Sequence, residues 1–256
     1  MKRRNILCLI LAMLMLFSTM LCACADKKNT QTPTKGQGTT TNPPVNNNNP
    51  TTQPDSKPSD NQGDDENLSL GYFEGNDYIN PYIGVVCKLS EKWTHKSADE
   101  LQDVGSTVLD KLSGSALGSF LEDYMDEGAQ LIAMSAENVT DLTVINAVYV
   151  RMTDSEYEQV QSMTQDEVIN GVLSMKDLLI EGYKMNGINV NSMEKATVKF
   201  LGADCPAILT VSTISGVPYY TLQLVFQHAG RYAVTVTLAS FQTNRTSELL
   251  ELFSKI

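Results

Sequence analysis

From Tyr78 onward the chain carries patterns of apolar and polar positions that define a run of regular elements. Ile83, Val85, Cys87 and Leu89 alternate with Gly84, Val86 and Lys88, the period of a strand whose one face is more apolar. Ser97 and Glu100 have capping-box spacing ahead of Leu101, Val104, Val108 and Leu112, which share one face of a predicted helix. Ala116 to Tyr124 predicts a second, shorter helix, and strands follow at about Gln130 to Met134 and Leu142 to Val150. In the latter, Leu142, Val144 and Val148 point one way and Ile145, Ala147 and Tyr149 the other, so both faces of the sheet are expected to be covered.

Two further capping boxes, Thr153 with Glu156 and Thr164 with Glu167, predict a short helix and a long one. The long helix carries Val168, Val172, Met175, Leu179 and Tyr183 at helical spacing and stops near Asn186-Gly187. The period then returns to two. Ala196, Val198 and Phe200 open a run of four strands, separated by turn signals at Gly202 to Asp204, Ser215-Gly216 and Ala229-Gly230. In this run Tyr220, Leu222, Leu224 and Phe226 face one side, with Thr221, Gln223 and Gln227 on the other. Tyr232, Val234, Val236 and Leu238 repeat the alternation. A last helix, capped near Thr243 or Asn244, is expected to bury Leu249, Leu250 and Phe253. Short turns between consecutive strands mean antiparallel neighbours. The expected fold class is therefore α+β, a mainly antiparallel sheet flanked by helices on both faces, which is an α/β/α sandwich.

The amino terminus is of a different kind. Lys2, Arg3 and Arg4 precede an apolar run from Ile6 to Phe17, and the pattern reads as an export signal. The run is short for a helix crossing a hydrocarbon core of about 30 Å. Leu21-Cys22-Ala23-Cys24 resembles the lipobox of bacterial lipoproteins, with Cys22 where alanine, serine or glycine is usual. The resemblance implies cleavage after Ala23 and a diacylglyceryl thioether on Cys24, an anchor to the membrane without a span. It places the protein on the extracytoplasmic face of a bacterial cell membrane, as at a Gram-positive surface. The alternative is a plain signal peptide with soluble secretion. From Ala25 to about Asn67 the chain holds Pro43-Pro44, Asn46 to Asn49 and many Thr and Gln, a composition that cannot bury enough surface to order itself. The expected organisation is a signal peptide over residues 1–23, a lipidated polar tether over 24–69 with a reach of roughly 40 Å, and one domain over 70–256.

Charge narrows the partners. The chain has 19 basic and 30 acidic residues, and from Leu70 onward 12 basic stand against 24 acidic, so the acidity belongs to the domain. Isolated cations among carboxylates exclude nucleic acid as a partner, because phosphate affinity comes from clustered Lys and Arg.

Residues 78–93, Tyr78-Ile-Asn80-Pro-Tyr82-Ile-Gly84 through Leu89-Ser90-Glu-Lys92-Trp93, resemble the opening of PsbP-like, or Mog1/PsbP-like, secreted lipoprotein domains. Ser90 and Lys92 replace the Pro and Gly usual at the following corner. Gly216-Val-Pro218-Tyr219 through Gly230-Arg231-Tyr232-Ala233 fits the same type. The resemblance implies the α/β/α sandwich and no activity common to its bacterial members.

No catalytic, metal or cofactor signature stands out. The chain has two histidines, His95 and His228, and no Cys-x-x-Cys, so a Cys/His zinc site lacks ligands. Glu122, Asp123, Asp126 and Glu127 sit close in sequence without a calcium-loop pattern and read as a solvated helix face. Cys87 falls on the apolar side of its strand, which predicts a buried, inert thiol; a disulfide to Cys205 stays open, since both would be exported. Tyr72, Phe73, Tyr78, Tyr82 and Trp93 either pack the start of the domain or line a ligand groove. The expected role is a non-catalytic binding or accessory module, held to the membrane through its lipid and facing an envelope protein or a small ligand. The rivals are an envelope-polymer hydrolase using carboxylates that the sequence does not single out, and an assembly factor for another envelope protein.

Overall fold

The structure, a computed structural model, describes residues 68–97, 100–101, 130–227 and 231–256. Its elements are β1 (Tyr72–Glu74), β2 (Asp77–Asn80), β3 (Val85–Cys87), β4 (Thr94–His95), β5 (Gln130–Asn138), β6 (Thr143–Arg151), α1 (Asp154–Gln161), α2 (Gln165–Leu173), α3 (Lys176–Met185), β7 (Ile188–Phe200), β8 (Ala203–Ile214), β9 (Val217–Gln227), β10 (Tyr232–Phe241), α4 (Thr246–Leu250) and β11 (Phe253–Lys255). They build two antiparallel sheets, a large one in the order β4-β5-β6-β10-β9-β8-β7 and a small one in the order β1-β2-β3-β11. The signal, most of the tether, the predicted helices between Val104 and Tyr124, and the Ala229-Gly230 turn lie outside the described residues.

The hairpins follow from local chemistry. Leu201-Gly202 joins β7 to β8 and Ser215-Gly216 joins β8 to β9, with positive φ at both positions of each pair. That backbone twist matches the twist of the flanking strands. The second loop falls where it was expected, whereas the first lies one residue ahead of the expected Gly202 to Asp204, with Ala203 and Asp204 already in β8. In the large sheet β10 is buried at all ten positions and β6 at eight of nine, as expected of central strands covered on both sides.

What covers the two faces differs from expectation. On one side Val144, Val148, Val150, Ile208, Tyr219 and Val225 of the sheet pack against Val160, Val168, Val172, Leu179 and Tyr183 of α1–α3. On the other, Ile145, Ala147, Leu222, Leu224, Val236 and Leu238 pack against Tyr78, Val85, Cys87 and Phe253 of the small sheet and Leu249 of α4. Helices on both faces are thus corrected, among the described residues, to helices on one face and a second sheet, with the short α4, on the other. The reason lies in short alternations. Val85 and Cys87 turn inward while Val86 is half-exposed, and β3 pairs with β2 on one edge and β11 on the other. Phe253, expected on the last helix, is instead a strand residue opposite Cys87, because α4 ends at Leu250.

Both later capping boxes form. The Thr153 and Thr164 hydroxyls accept the Glu156 and Glu167 backbone N–H groups, and each glutamate carboxylate accepts the N–H of its cap residue. The long helix predicted after Thr164 is two helices, α2 and α3, broken at Ser174-Met175. Ser174 Oγ donates to the Gly171 carbonyl at 2.6 Å, a local bond that closes the first helix.

Two substitutions rank these contributions. Leu224→Ala, at a fully buried position between the layers, is expected to cost about 2–5 kcal/mol. Thr164→Ala, which removes a cap, is expected to cost about 1 kcal/mol. Urea unfolding midpoints of the two variants check the order.

Candidate functional site

Two buried polar assemblies stand out. The first joins the sheets where the domain begins. Asn80, on β2 and fully buried, donates both protons of its carboxamide, one to the Tyr78 hydroxyl at 2.7 Å and one to the Tyr149 hydroxyl at 2.6 Å. Its carbonyl oxygen accepts the Ile83 N–H at 3.2 Å. The Tyr78 hydroxyl donates to the Leu70 carbonyl, and the Tyr149 hydroxyl lies 3.4 Å from the Ser69 carbonyl. Tyr78 belongs to the small sheet and Tyr149 to the large one, so a single carboxamide bridges the layers. Tyr82 and Tyr232 complete an aromatic cluster, with ring centroids 5.6 and 6.3 Å from Tyr149. Burial, with Tyr149 close by, pushes the Tyr78 phenol above its ordinary range against the pull of the Asn80 bond. Tyr149 rises through burial too.

The second assembly is a seam of uncharged polar side chains on the helix-facing side of the large sheet. Ser135, Asn146, Thr237 and Gln223 stand opposite one another in one row across β5, β6, β10 and β9. Gln223 donates to the Thr237 hydroxyl at 3.1 Å. Thr235 lies two residues along β10, and Thr221 pairs with Thr210 on β8. All are at most 3 % exposed. Among the described residues the hydroxyls of Thr210, Thr221 and Thr235 have no hydrogen-bond partner. An orphaned buried hydroxyl costs about 1–3 kcal/mol, so packing alone gives no reason for three on one face. Among the described residues the only charged side chain counted as buried is Glu156, which serves a helix cap. The arrangement can donate and accept hydrogen bonds; it offers no charge.

The residues flagged in the sequence scatter. Cys24 lies outside the described residues, as do His228, Glu122, Asp123, Asp126 and Glu127. Cys87 and Cys205 are both free thiols within the core between the sheets and are not bridged in the structure. Burial, reinforced by Asp77, pushes the Cys87 thiol far up, and burial raises Cys205 against the bond from Gln165, whose Nε2 lies 3.3 Å from Sγ. Raised thiols are poor nucleophiles. His95 stacks on Phe73 at 4.0 Å between ring centroids. Of the aromatic group at the start of the domain, Tyr78 and Tyr82 are core residues, Trp93 is half-buried and Tyr72 is exposed. Among the described residues no three His, Cys, Asp or Glu side chains gather as metal ligands.

At the surface Arg245 bonds Asp141 at 2.7 Å and holds that carboxyl below its ordinary range. One groove of about 380 Å³ is lined by Thr197, Lys199, Ser247 and Glu251, among others, and one of about 230 Å³ by Gln159, Ser162, Met163 and Glu167. Neither brings together groups that form a reaction centre.

Sequence reasoning placed Thr221 and Gln223 on the second face of their strand without assigning them a role. The signal was there: Thr235 and Thr237 sit between Ala233 and Ala239 on a strand whose other face is Val234, Val236 and Leu238. Cross-strand register brings them beside Asn146 and Ser135, and register is not legible from one strand.

Compared with known proteins, the chain matches no family model, and no curated protein matches it.

Raised phenols give the stability a sign at high pH. The folded state holds the Tyr78 and Tyr149 protons more tightly than the unfolded chain does. Their contribution is complete below the ordinary phenol value of 10.0 and is lost as pH rises beyond it. Unfolding free energy measured from pH 8 to 11 is expected to fall above about pH 10, and less steeply in Tyr149→Phe.

Proposed function

We propose that the protein is a membrane-anchored extracytoplasmic lipoprotein whose domain is a non-catalytic binding or accessory module. The observation that carries this reading is the order of a basic flank, an apolar run, Leu21-Cys22-Ala23-Cys24 and a polar tether ahead of the domain, which displays a folded domain on the outer face of a membrane.

The address rests on the amino terminus. Leu21-Cys22-Ala23-Cys24 follows a basic flank and an apolar run, the order a lipobox requires. Two acyl chains on Cys24 give stable anchoring where one gives marginal anchoring. No helix among the described residues is long and apolar enough to cross a membrane. The acidic domain is repelled by anionic headgroups, and a polar tether of roughly 40 Å reach lets it stand clear of them. Tyr78, Asn80 and Tyr82 carry the resemblance to PsbP-like domains and sit in the bridge between the sheets, while the fold, among the described residues, lacks the helices on both faces that the resemblance implies.

Cys24→Ser is expected to move the chain from the membrane pellet to the soluble fraction on detergent-free fractionation. Retention of that variant in the pellet, or mass spectrometry showing an unmodified sulfur in the wild type, contradicts the assignment.

A further inference from the structure

Residues 68–71 belong to no helix or strand, yet each is tied down. Leu68 and Leu70 pack on the cluster of Tyr82, Tyr149, Tyr232 and Val234. The Ser69 carbonyl faces the Tyr149 hydroxyl of the large sheet, and the Leu70 carbonyl accepts from the Tyr78 hydroxyl of the small one. Gly71 bonds back through its N–H to Ser69 Oγ at 3.2 Å. A Cβ added at Gly71 would stand 2.7 Å from the Ile79 carbonyl oxygen and the Tyr78 ring, and its φ of +83° suits glycine alone. Within four residues the chain therefore reaches both sheets, and the polar stretch of the sequence ends just before it.

We propose that residues 68–71 are a strap that latches across the junction of the two sheets. It opens as a local unit, uncovering the tyrosine cluster while the large sheet stays folded. The closed state has its own occupant, the Leu68 and Leu70 side chains. Several features make opening local. The strap contributes no strand to either sheet, its carbonyls accept only from side chains, Ser69 from the Tyr149 hydroxyl and Leu70 from the Tyr78 hydroxyl and, at 3.4 Å, the Asn80 carboxamide, and Leu68 and Leu70 are only half-buried. By contrast β9 and β10 are held by a continuous ladder from Phe241↔Tyr219 to Ala233↔Gln227. Units with few buried apolar contacts and side-chain-dependent bonds open at lower free energy than core strands. Any pull on the chain ahead of Leu68 meets this latch before it meets the strand ladders.

The test is hydrogen exchange of the full chain, read by mass spectrometry, in wild type and in the Tyr78→Phe/Tyr149→Phe double variant. That variant keeps both rings and deletes both hydroxyls. Exchange of the Gly71 amide, which bonds Ser69 Oγ, is expected to rise about tenfold or more in overlapping peptides, with β1 to β3 and with β9 and β10 unchanged within about twofold. Equal acceleration in both regions, or none in either, overturns the proposal. Gly71→Ala reaches the same strap by a steric route. Tetranitromethane is expected to nitrate Tyr149 or Tyr232 in that variant and neither in wild type, with β9 and β10 exchange preserved. Resistance equal to wild type, or nitration accompanied by exchange throughout β9 and β10, overturns it.

Discussion

A seven-stranded sheet whose middle strands are buried on both faces has to be covered twice, and the rest of the structure follows from that demand. β10 is buried at every position. Leaving either face to water would expose side chains worth about 1.5–3 kcal/mol each on burial. Among the described residues α1, α2 and α3 meet the demand on one side. On the other it is met by four short strands drawn from both ends of the domain, with α4 between β10 and β11. A three-residue strand is marginal alone, so the small sheet exists only as a cover. Tyr78, Val85, Cys87 and Phe253, pointing into the large sheet, stabilise it there.

Burying polar groups beside such a core is least costly where each is matched, and the two polar assemblies differ in this. Around Asn80 the carboxamide donors and acceptor are all used, and both phenols are engaged. Such a closed circuit fixes geometry. In the seam, register places neutral side chains side by side across four strands while several threonine hydroxyls remain unmatched among the described residues. Those unmatched hydroxyls weaken the seam by about 1–3 kcal/mol each, where the Asn80 circuit carries no such cost.

Periodicity made strands and capped helices readable, because those depend on neighbours within a few residues. The Thr153 and Thr164 caps, the two Gly-containing hairpins and the doubly buried β6 were all legible that way. The opposite cover was not. Val85 and Cys87 have the same alternation whether a helix or a strand lies beside them, and nothing local pairs Phe253 with Cys87 across most of the domain. The break at Ser174 was hidden because Val172, Met175 and Leu179 keep helical spacing through it. The Asn80 bridge was visible only as a motif, since its partner Tyr149 is distant in sequence and its purpose appears only once two sheets face each other.

The bond from Asn80 to Tyr149 is where the claim that the small sheet is docked on the large one is most exposed. A double-mutant cycle of Asn80→Ala and Tyr149→Phe, followed by urea unfolding, isolates it. Sheets joined through this contact predict a coupling energy of about 1–2 kcal/mol, the two losses together being smaller than their sum. Strict additivity would mean that the layers do not meet there, and would contradict the account.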